Sequence, residues 1–431
     1  MTTDTPIGHK GPPLDQARSP ASSDDIFEIA LTRLHGRILD VDTHEMYPAK
    51  LWVEEFGEFS RPLVDLFLQK QPTDAINSVS ADPTDIGPIT SEKLADYWDK
   101  GCHAPGAYDM ERRLQFMDVA GVDRALVFGT IMAIIGQQFA SAGAGTSIMD
   151  RVLGVGMDTD PGALGRSMVT AHNDWSIRTA RFSPRLRPVA AILTQSLHDA
   201  VKEAERVIEG GVGAVMVPVG TTIEARAPSH PDNDVLWKLL ADHDVTLMFH
   251  IGSEDAFARE HLGWRNTPAY ANNRTVPSEL SIDAFSMAVS NLPIQNYLTN
   301  MVLGAVFERV PHLRVGVAEL GASWIGPAAK NMDMWAEYFS RRFTGVLSMR
   351  PSEYITRNVR VTPFHFEPID DYLINYPFLE TVLCFSSDYP HFEGGRDPVG
   401  DMLRRILPFG PDMVEKFFVS NADWIMPDRS A

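Results

Sequence analysis

Residues 37–45 read Arg-Ile-Leu-Asp-Val-Asp-Thr-His-Glu, a short apolar run that ends in side chains able to grip a cation. In a strand, residues i and i+2 face one side, so Asp42 and His44 can hold one ion together. The same grammar recurs down the chain. Apolar, β-rich runs at 124–128, 186–192, 213–217, 245–249, 313–318, 359–362 and 381–385 alternate with segments of helical periodicity. Two of those segments, 110–120 and 197–209, stop at Gly121 and at Gly210-Gly211, as helices do at glycines. The segment 234–241, with Trp237 and Leu240 at helical spacing, reads as core packing.

Strand and helix in alternation predict a parallel sheet with crossover helices. Eight repeats favour an α/β chain closed into a TIM-type (β/α)8 barrel. No GxGxxG turn follows any of the runs, which removes the main argument for a dinucleotide fold. Two connections are too long to be simple crossovers: about 48–109 after the first strand and about 130–174 after the second. Insertions after strands lie on the face of a barrel where sites form, so both are expected to cap the site. Residues 1–25, rich in Thr, Pro, Ser, Gly and Asp, are expected to be a disordered tail, and 26–431 one barrel domain.

Polar, metal-capable side chains end the apolar runs. Asp42 and His44 follow 38–41, His250 follows 246–249, Glu319 follows 315–318 and Asp388 follows 383–387. In a barrel these positions converge at one end although they are far apart in sequence. A cation held by imidazoles and carboxylates with an open position lowers the pKa of bound water from ~16 towards ~7 and polarises carbonyls. Asp388 is the candidate proton carrier and Glu319 the candidate auxiliary base or ligand. His391, three residues after Asp388, is a further candidate ligand or a partner that orients one. Arg112, His172 and Arg265 are candidates to meet an anionic substrate.

The segments DVDTHE (40–45), MDVAGVDRALVF (117–128), AHNDW (171–175), PRLRPVAAI (184–192), LMFHIG (247–252), GAVFERVPHLRVGVAELGASWI (304–325), SSDYPHFEGG (386–395) and SNADWI (420–425) resemble the amidohydrolase superfamily. The resemblance is to the branch that includes aminocarboxymuconate-semialdehyde decarboxylase, resorcylate decarboxylases and related hydrolases and hydratases. It implies that Asp42 and His44 are first-strand metal ligands, His250 the fifth-strand ligand, and Asp388 the eighth-strand carboxylate that binds the metal or its water and moves protons. Two positions depart from the pattern. Many members carry His-x-His on the first strand, where this chain has Asp42-x-His44. The extra oxygen shifts preference from zinc towards manganese or iron. Where the decarboxylases carry a catalytic His on the sixth strand, this chain has Glu319, which donates a proton at neutral pH only if its pKa is raised.

The expected function is therefore a metal-dependent hydrolase or carbon–carbon lyase of decarboxylase type, acting on a small carboxylated or aromatic metabolite with one divalent zinc, manganese or iron ion. A first alternative is a non-haem oxygenase with two irons among Asp42, His44, His250, Glu319, Asp388 and His391. Val217-Pro218 stands where two-metal hydrolases carry a bridging lysine on the fourth strand, which argues against a standard dinuclear hydrolase. A second alternative is an inert binding barrel.

The charge balance, 38 basic against 57 acidic residues for a net −19, repels phosphate backbones and anionic lipid, so neither nucleic acid nor membrane is expected as a partner. The chain shows no apolar span and no secretory start, and is expected to be cytoplasmic, with homo-oligomerisation left open. Two cysteines, Cys102 and Cys384, make no disulfide framework.

Overall fold

Among the described residues, seven parallel strands run in chain order through one sheet: β1 (Ile38–Glu45), β2 (Val122–Gly129), β3 (Leu186–Ala191), β4 (Ala214–Met216), β5 (Thr246–His250), β6 (Val315–Ala318) and β7 (Val359–Val361). The structure is a computed structural model, and the residues described are 23–69, 88–90, 100–142, 160–253, 264, 267 and 284–427. Side-chain alternation sorts the buried apolar residues into two clusters. Ile38, Ala125, Val127, Ala190, Val215, Leu247, Phe249, Val315 and Val317 pack outward with the helices. Leu39, Val41, Leu126, Phe128, Val189, Ala191, Met216, Met248 and Ala318 pack inward against one another, with Cys384, Ile425 and Met426. A flat sheet would not bring β1, β3, β5 and β6 residues into one inner cluster, so the sheet is curled around it.

The expected eighth strand at 381–385 is corrected by the structure. A 3-10 turn occupies Pro377–Thr381, and the stretch 382–389 crosses between β7 and β1 without forming a regular ladder. Single bridges join Val361 to Leu383 and Thr43 to Tyr389. Backbone bonds run from Cys384 to Val361 (3.1 Å), Val41 to Phe385 (3.2 Å) and His44 to Tyr389 (2.7 Å). The ladder fails because its amides are engaged elsewhere. Phe385 N–H donates to the Phe417 carbonyl at 2.9 Å, and Ser387 N–H donates to Asp40 Oδ1 at 2.9 Å.

The helices follow their sequence signals closely. Met110–Ala120 is capped by Asp109, whose carboxylate accepts from the Glu111 and Arg112 amides, and ends at Gly121 with φ 75°. Leu197–Glu209 buries Ala200, Ala204 and Val207 on one face. Asp234–Asp242 buries Leu236, Trp237 and Leu240, the core packing expected of it.

The tail boundary needs correction, because a helix, Ser23–Leu34, begins before residue 25; residues 1–22 lie outside the described residues. Within the stretch 48–109, short helices form at Trp52–Phe56 and Arg61–Gln69. Residues 161–174 of the second stretch belong to the long helix Pro161–Phe182, which leads into β3. Cys102 and Cys384 are buried free thiols. Among the described residues, no helix is long and apolar enough to cross a membrane.

Candidate metal centre

Six side chains meet at the C-terminal end of the sheet, and most of them reach it through a break in regular geometry. Leu39 and Val41 face the inner cluster, so strict alternation would turn Asp42 and His44 outward. A register irregularity between Asp40 and Thr43 resets the phase and brings both inward. Asp42 and His44 therefore lie inside β1, where the sequence placed them beyond its end. His250 is the last residue of β5, in phase with Met248. Glu319 and Asp388 both have φ 52°, a left-handed conformation that ordinary residues hold only when their surroundings impose it.

The nitrogen and oxygen atoms converge on one point. His44 Nε2 lies 3.2 Å from His250 Nε2, 3.3 Å from Asp42 Oδ1 and 3.5 Å from Asp388 Oδ1. His250 Nε2 lies 3.4 Å from Asp42 Oδ1 and 3.2 Å from Glu319 Oε2. Two atoms each bonded to one ion at about 2.1 Å stand roughly 3.0 to 3.4 Å apart. The spacings are thus those of a coordination shell. Asp42 Oδ1 and both carboxylate oxygens of Asp388 are buried and receive no hydrogen bond of regular geometry; their near neighbours are the imidazoles, with His391 Nδ1 2.9 Å from Asp388 Oδ1. Buried carboxylate oxygens without donors are costly unless a cation meets them, so the residues present fit a divalent metal.

The electrostatics agree. Burial, reinforced by the Asp388 charge, holds Glu319 well above the usual carboxylate range; His391 opposes this, and Asp42 and Glu393 add to it. Burial, with His391 and His250 beside it, pushes His44 well below the usual imidazole range. At His250 burial also pulls down, but the Asp42 charge and hydrogen bond, the Ile251 carbonyl and Asp388 outweigh it and raise the pKa. Carboxylates crowded to this degree are relieved by a positive ion.

The rings are held from behind. His44 Nδ1 is 3.0 Å from Thr130 Oγ1, and His250 Nδ1 is 3.0 Å from the Ile251 carbonyl, so in each ring Nε2 is the atom turned to the centre. Thr130 opens a π-helical turn, Thr130–Ile135, directly after β2, and its hydroxyl also lies 3.2 Å from His391 Nε2. His391 stacks on His44 with centroids 3.8 Å apart, and its Nδ1 is 2.9 Å from Asp388 Oδ1. Arg113, fully buried, donates to the His44 carbonyl at 2.5 Å and the Gly106 carbonyl at 2.7 Å, fixing the end of β1.

The structure therefore brings together Asp42, His44, His250, Glu319, Asp388 and His391. His172 is placed elsewhere: it is buried in the helix Pro161–Phe182, with Nε2 2.9 Å from the Val189 carbonyl and 3.2 Å from Ser176 Oγ. Arg112 sits on the partly exposed side of the helix Met110–Ala120, and its neighbour Arg113 makes the inward contacts. Arg265 lies outside the described residues. Sequence reading missed Thr130 and Arg113. A hydroxyl immediately after a β-strand was the available signal for the first; nothing in the sequence separated Arg113 from Arg112.

Comparison with known proteins defines the class. The amidohydrolase family model matches residues 131–423, more than half of the chain, and the protein belongs to that family. The match includes His250, Glu319, Asp388 and His391 but begins after Asp42 and His44. Among solved structures, an amidohydrolase of Mycobacterium avium subsp. paratuberculosis superposes with TM-score 0.63 at 17% identity, covering 90% of this chain and 99% of its own. A 5-carboxyvanillate decarboxylase of Novosphingobium aromaticivorans, in complex with manganese and 4-hydroxy-3-methoxy-5-nitrobenzoic acid, gives 0.56 at 17% identity, covering 91% and 96%. A dihydroxybenzoic acid decarboxylase of Polaromonas, bound to manganese and 2-nitroresorcinol, gives 0.54 at 14% identity, covering 92% and 98%. At these identities the likeness establishes the shared fold. No curated protein matches the chain. The comparisons lend no support to the oxygenase or the inert-barrel alternative.

Proposed function

We propose that the protein is a metal-dependent carbon–carbon lyase that decarboxylates a small hydroxylated aromatic acid. In this reading the chain from the helix Ser23–Leu34 onward is one (β/α)8 barrel whose eighth stave is the irregular stretch 382–389; the cap expected of the segments after β1 and β2 falls in part on residues 70–87, 91–99 and 143–159, which lie outside the described residues. The observation that carries the reading is the set of 3.2 to 3.5 Å spacings that join His44 and His250 to each other, both to Asp42, His44 to Asp388 and His250 to Glu319, with buried carboxylate oxygens crowded around the two rings. The choice of lyase over hydrolase rests on two of the structural neighbours named above, which are decarboxylases of aromatic acids.

Asp42, His44, His250 and Asp388 would hold one divalent ion, manganese in preference to zinc because two of the four ligands are oxygen donors. When bound, it orients the substrate oxygens and stabilises negative charge. When carbon dioxide leaves, the electron pair of the broken bond stays on the ring carbon, which takes up a proton. Asp388, with His391 Nδ1 2.9 Å away, would pass that proton. Glu319, whose Oε2 is 3.2 Å from His250 Nε2, serves as the auxiliary acid–base group. Manganese-loaded protein incubated with 5-carboxyvanillate and 2,6-dihydroxybenzoate should release carbon dioxide from at least one of them. Hydrolysis of an ester or amide panel with no carbon dioxide release would replace the lyase reading by a hydrolase.

A second reading of the ion count is favoured by one specific feature. The candidate ligands form two overlapping groups, Asp42, His44, His250, Glu319 and His44, Glu319, Asp388, His391, each mutually within 4.8 Å. His391, Asp388 and Glu319 would then be the residues able to hold a second ion, Glu319 being common to both groups. The Thr130 hydroxyl would then accept from both His44 Nδ1 and His391 Nε2 and donate to the Glu45 carbonyl at 3.4 Å. With one ion, Thr130 instead accepts from His44 and donates to His391. Metal content of His391→Ala separates the two: one ion retained in the first reading, one lost of two in the second.

A further inference from the structure

The cavity that opens onto the centre is lined by Asp42, Glu319, Asp388 and Glu393, with His365 as the basic side chain among the described residues of its wall. An anionic substrate entering beside four carboxylates needs a compensating donor besides the metal. His365 stands on the loop after β7, and that loop is fixed. The buried carboxylate of Glu367 accepts from the Phe364 amide (2.7 Å), the Ala322 amide (3.1 Å) and the Tyr372 hydroxyl (3.0 Å). It thereby ties the loop after β7 to the loop that follows Glu319.

The ring is oriented as well. His365 Nδ1 lies 3.0 Å from Asp401 Oδ2, on the first turn of the helix Pro398–Ile406. Its Nε2 makes no hydrogen bond with the described residues, and the side chain is 21% exposed. The ring packs over Gly395, where a Cβ would come within 2.5 Å of Nε2 and where φ is 70°, so only glycine leaves this seat open. Beside it, Phe364 also lines the cavity and stacks on Phe366 with centroids 5.3 Å apart. An apolar ring wall next to an oriented imidazole suits an aromatic ring that carries an anionic oxygen.

We propose that His365, oriented by Asp401, is the substrate-binding residue that receives the carboxylate of an aromatic acid while Phe364 covers its ring. This rests on the decarboxylase reading and deepens it. Held between Asp401 and the substrate carboxylate, the imidazole donates from both nitrogens.

The test uses manganese-loaded full-length protein and two nitrophenol probes read by their visible absorbance: 4-hydroxy-3-methoxy-5-nitrobenzoate, which has a carboxylate, and 2-nitroresorcinol, which has none. His365→Ala should weaken the first about tenfold or more and the second less than about threefold, with metal content unchanged. His365→Gln, whose amide can donate from near the Nε2 position, should recover most of the loss. Asp401→Asn, on a partly exposed helix end where folding is not at stake, should weaken the benzoate selectively by about threefold. Equal effects on both probes, or none, would overturn the proposal and leave the decarboxylase reading standing. Wild-type protein that binds neither probe would overturn both.

Discussion

His44 on β1 and His250 on β5 point their Nε2 atoms at each other across the mouth of the curled sheet, 3.2 Å apart. Both Nδ1 atoms are engaged behind: His250 Nδ1–H donates to the Ile251 carbonyl, which leaves the lone pair of the neutral ring on Nε2, and the Thr130 hydroxyl allows His44 the same tautomer by accepting from its Nδ1. With both rings in that tautomer, two lone pairs face each other at this distance and repel unless a positive charge lies between them. The pair therefore defines where an ion belongs, and Asp42 and Asp388 complete its surroundings.

Asp388→Asn keeps the shape of the side chain but cannot accept a proton at neutral pH. The variant should fold and retain part of its metal while kcat falls by about a hundredfold or more. Turnover within a few-fold of wild type would remove Asp388 from the proton path.

Glu319→Gln distinguishes one ion from two. With a single ion held by Asp42, His44, His250 and Asp388, the variant should keep its metal and lose kcat. If Glu319 bridges two ions, the neutral amide should lose about one of them per chain, since it is a weaker ligand and offsets less of the cations' repulsion. Metal-to-protein ratios of wild type and variant, measured together with oxygen consumption, check this; two irons and an oxygen requirement would contradict the lyase account.

His172 supplies an acid-stability prediction independent of the centre. Burial lowers its pKa from 6.5 to about 4, against the pull of the Val189 carbonyl. Between those values the unfolded chain binds a proton that the folded chain refuses, so its contribution to stability is present above pH 6.5 and is lost as pH falls towards 4. The slope from this one group is at most about 1.4 kcal/mol per pH unit. Denaturant titrations of wild type and His172→Gln from pH 7 to pH 4 should converge as the pH drops. Parallel curves would show that His172 is not held neutral by the fold.

The parts of this arrangement that sequence could announce are those built on regular periodicity. His250 follows directly from the alternation in β5, and the helices 110–120 and 197–209 end at the glycines that mark them. Asp42 and His44 were identifiable as ligands, yet the irregularity between Asp40 and Thr43 that turns them inward was not, because a bulge leaves no composition signature in a run of buried residues. The left-handed backbone at Glu319 and Asp388 was equally hidden, since long-range packing and not local preference imposes it. The eighth stave was expected as a strand from its apolar run, but the amides of Phe385 and Ser387 bond to Phe417 and Asp40, contacts set by distant parts of the chain. Arg113 differs from Arg112 only by its phase on the helix, and His172 looked chemical because a buried imidazole bonded to a strand carbonyl reads in sequence like a free one.

The central claim is that His44 on β1 and His250 on β5 hold the metal between them at the mouth of the curled sheet, and metal analysis of the two alanine variants tests it most directly. Wild type reconstituted with manganese and desalted should retain at least one ion per chain, whereas His44→Ala and His250→Ala should each retain only a small fraction of that, with the fold intact by circular dichroism. Metal-to-protein ratios unchanged from wild type in both variants would contradict the account.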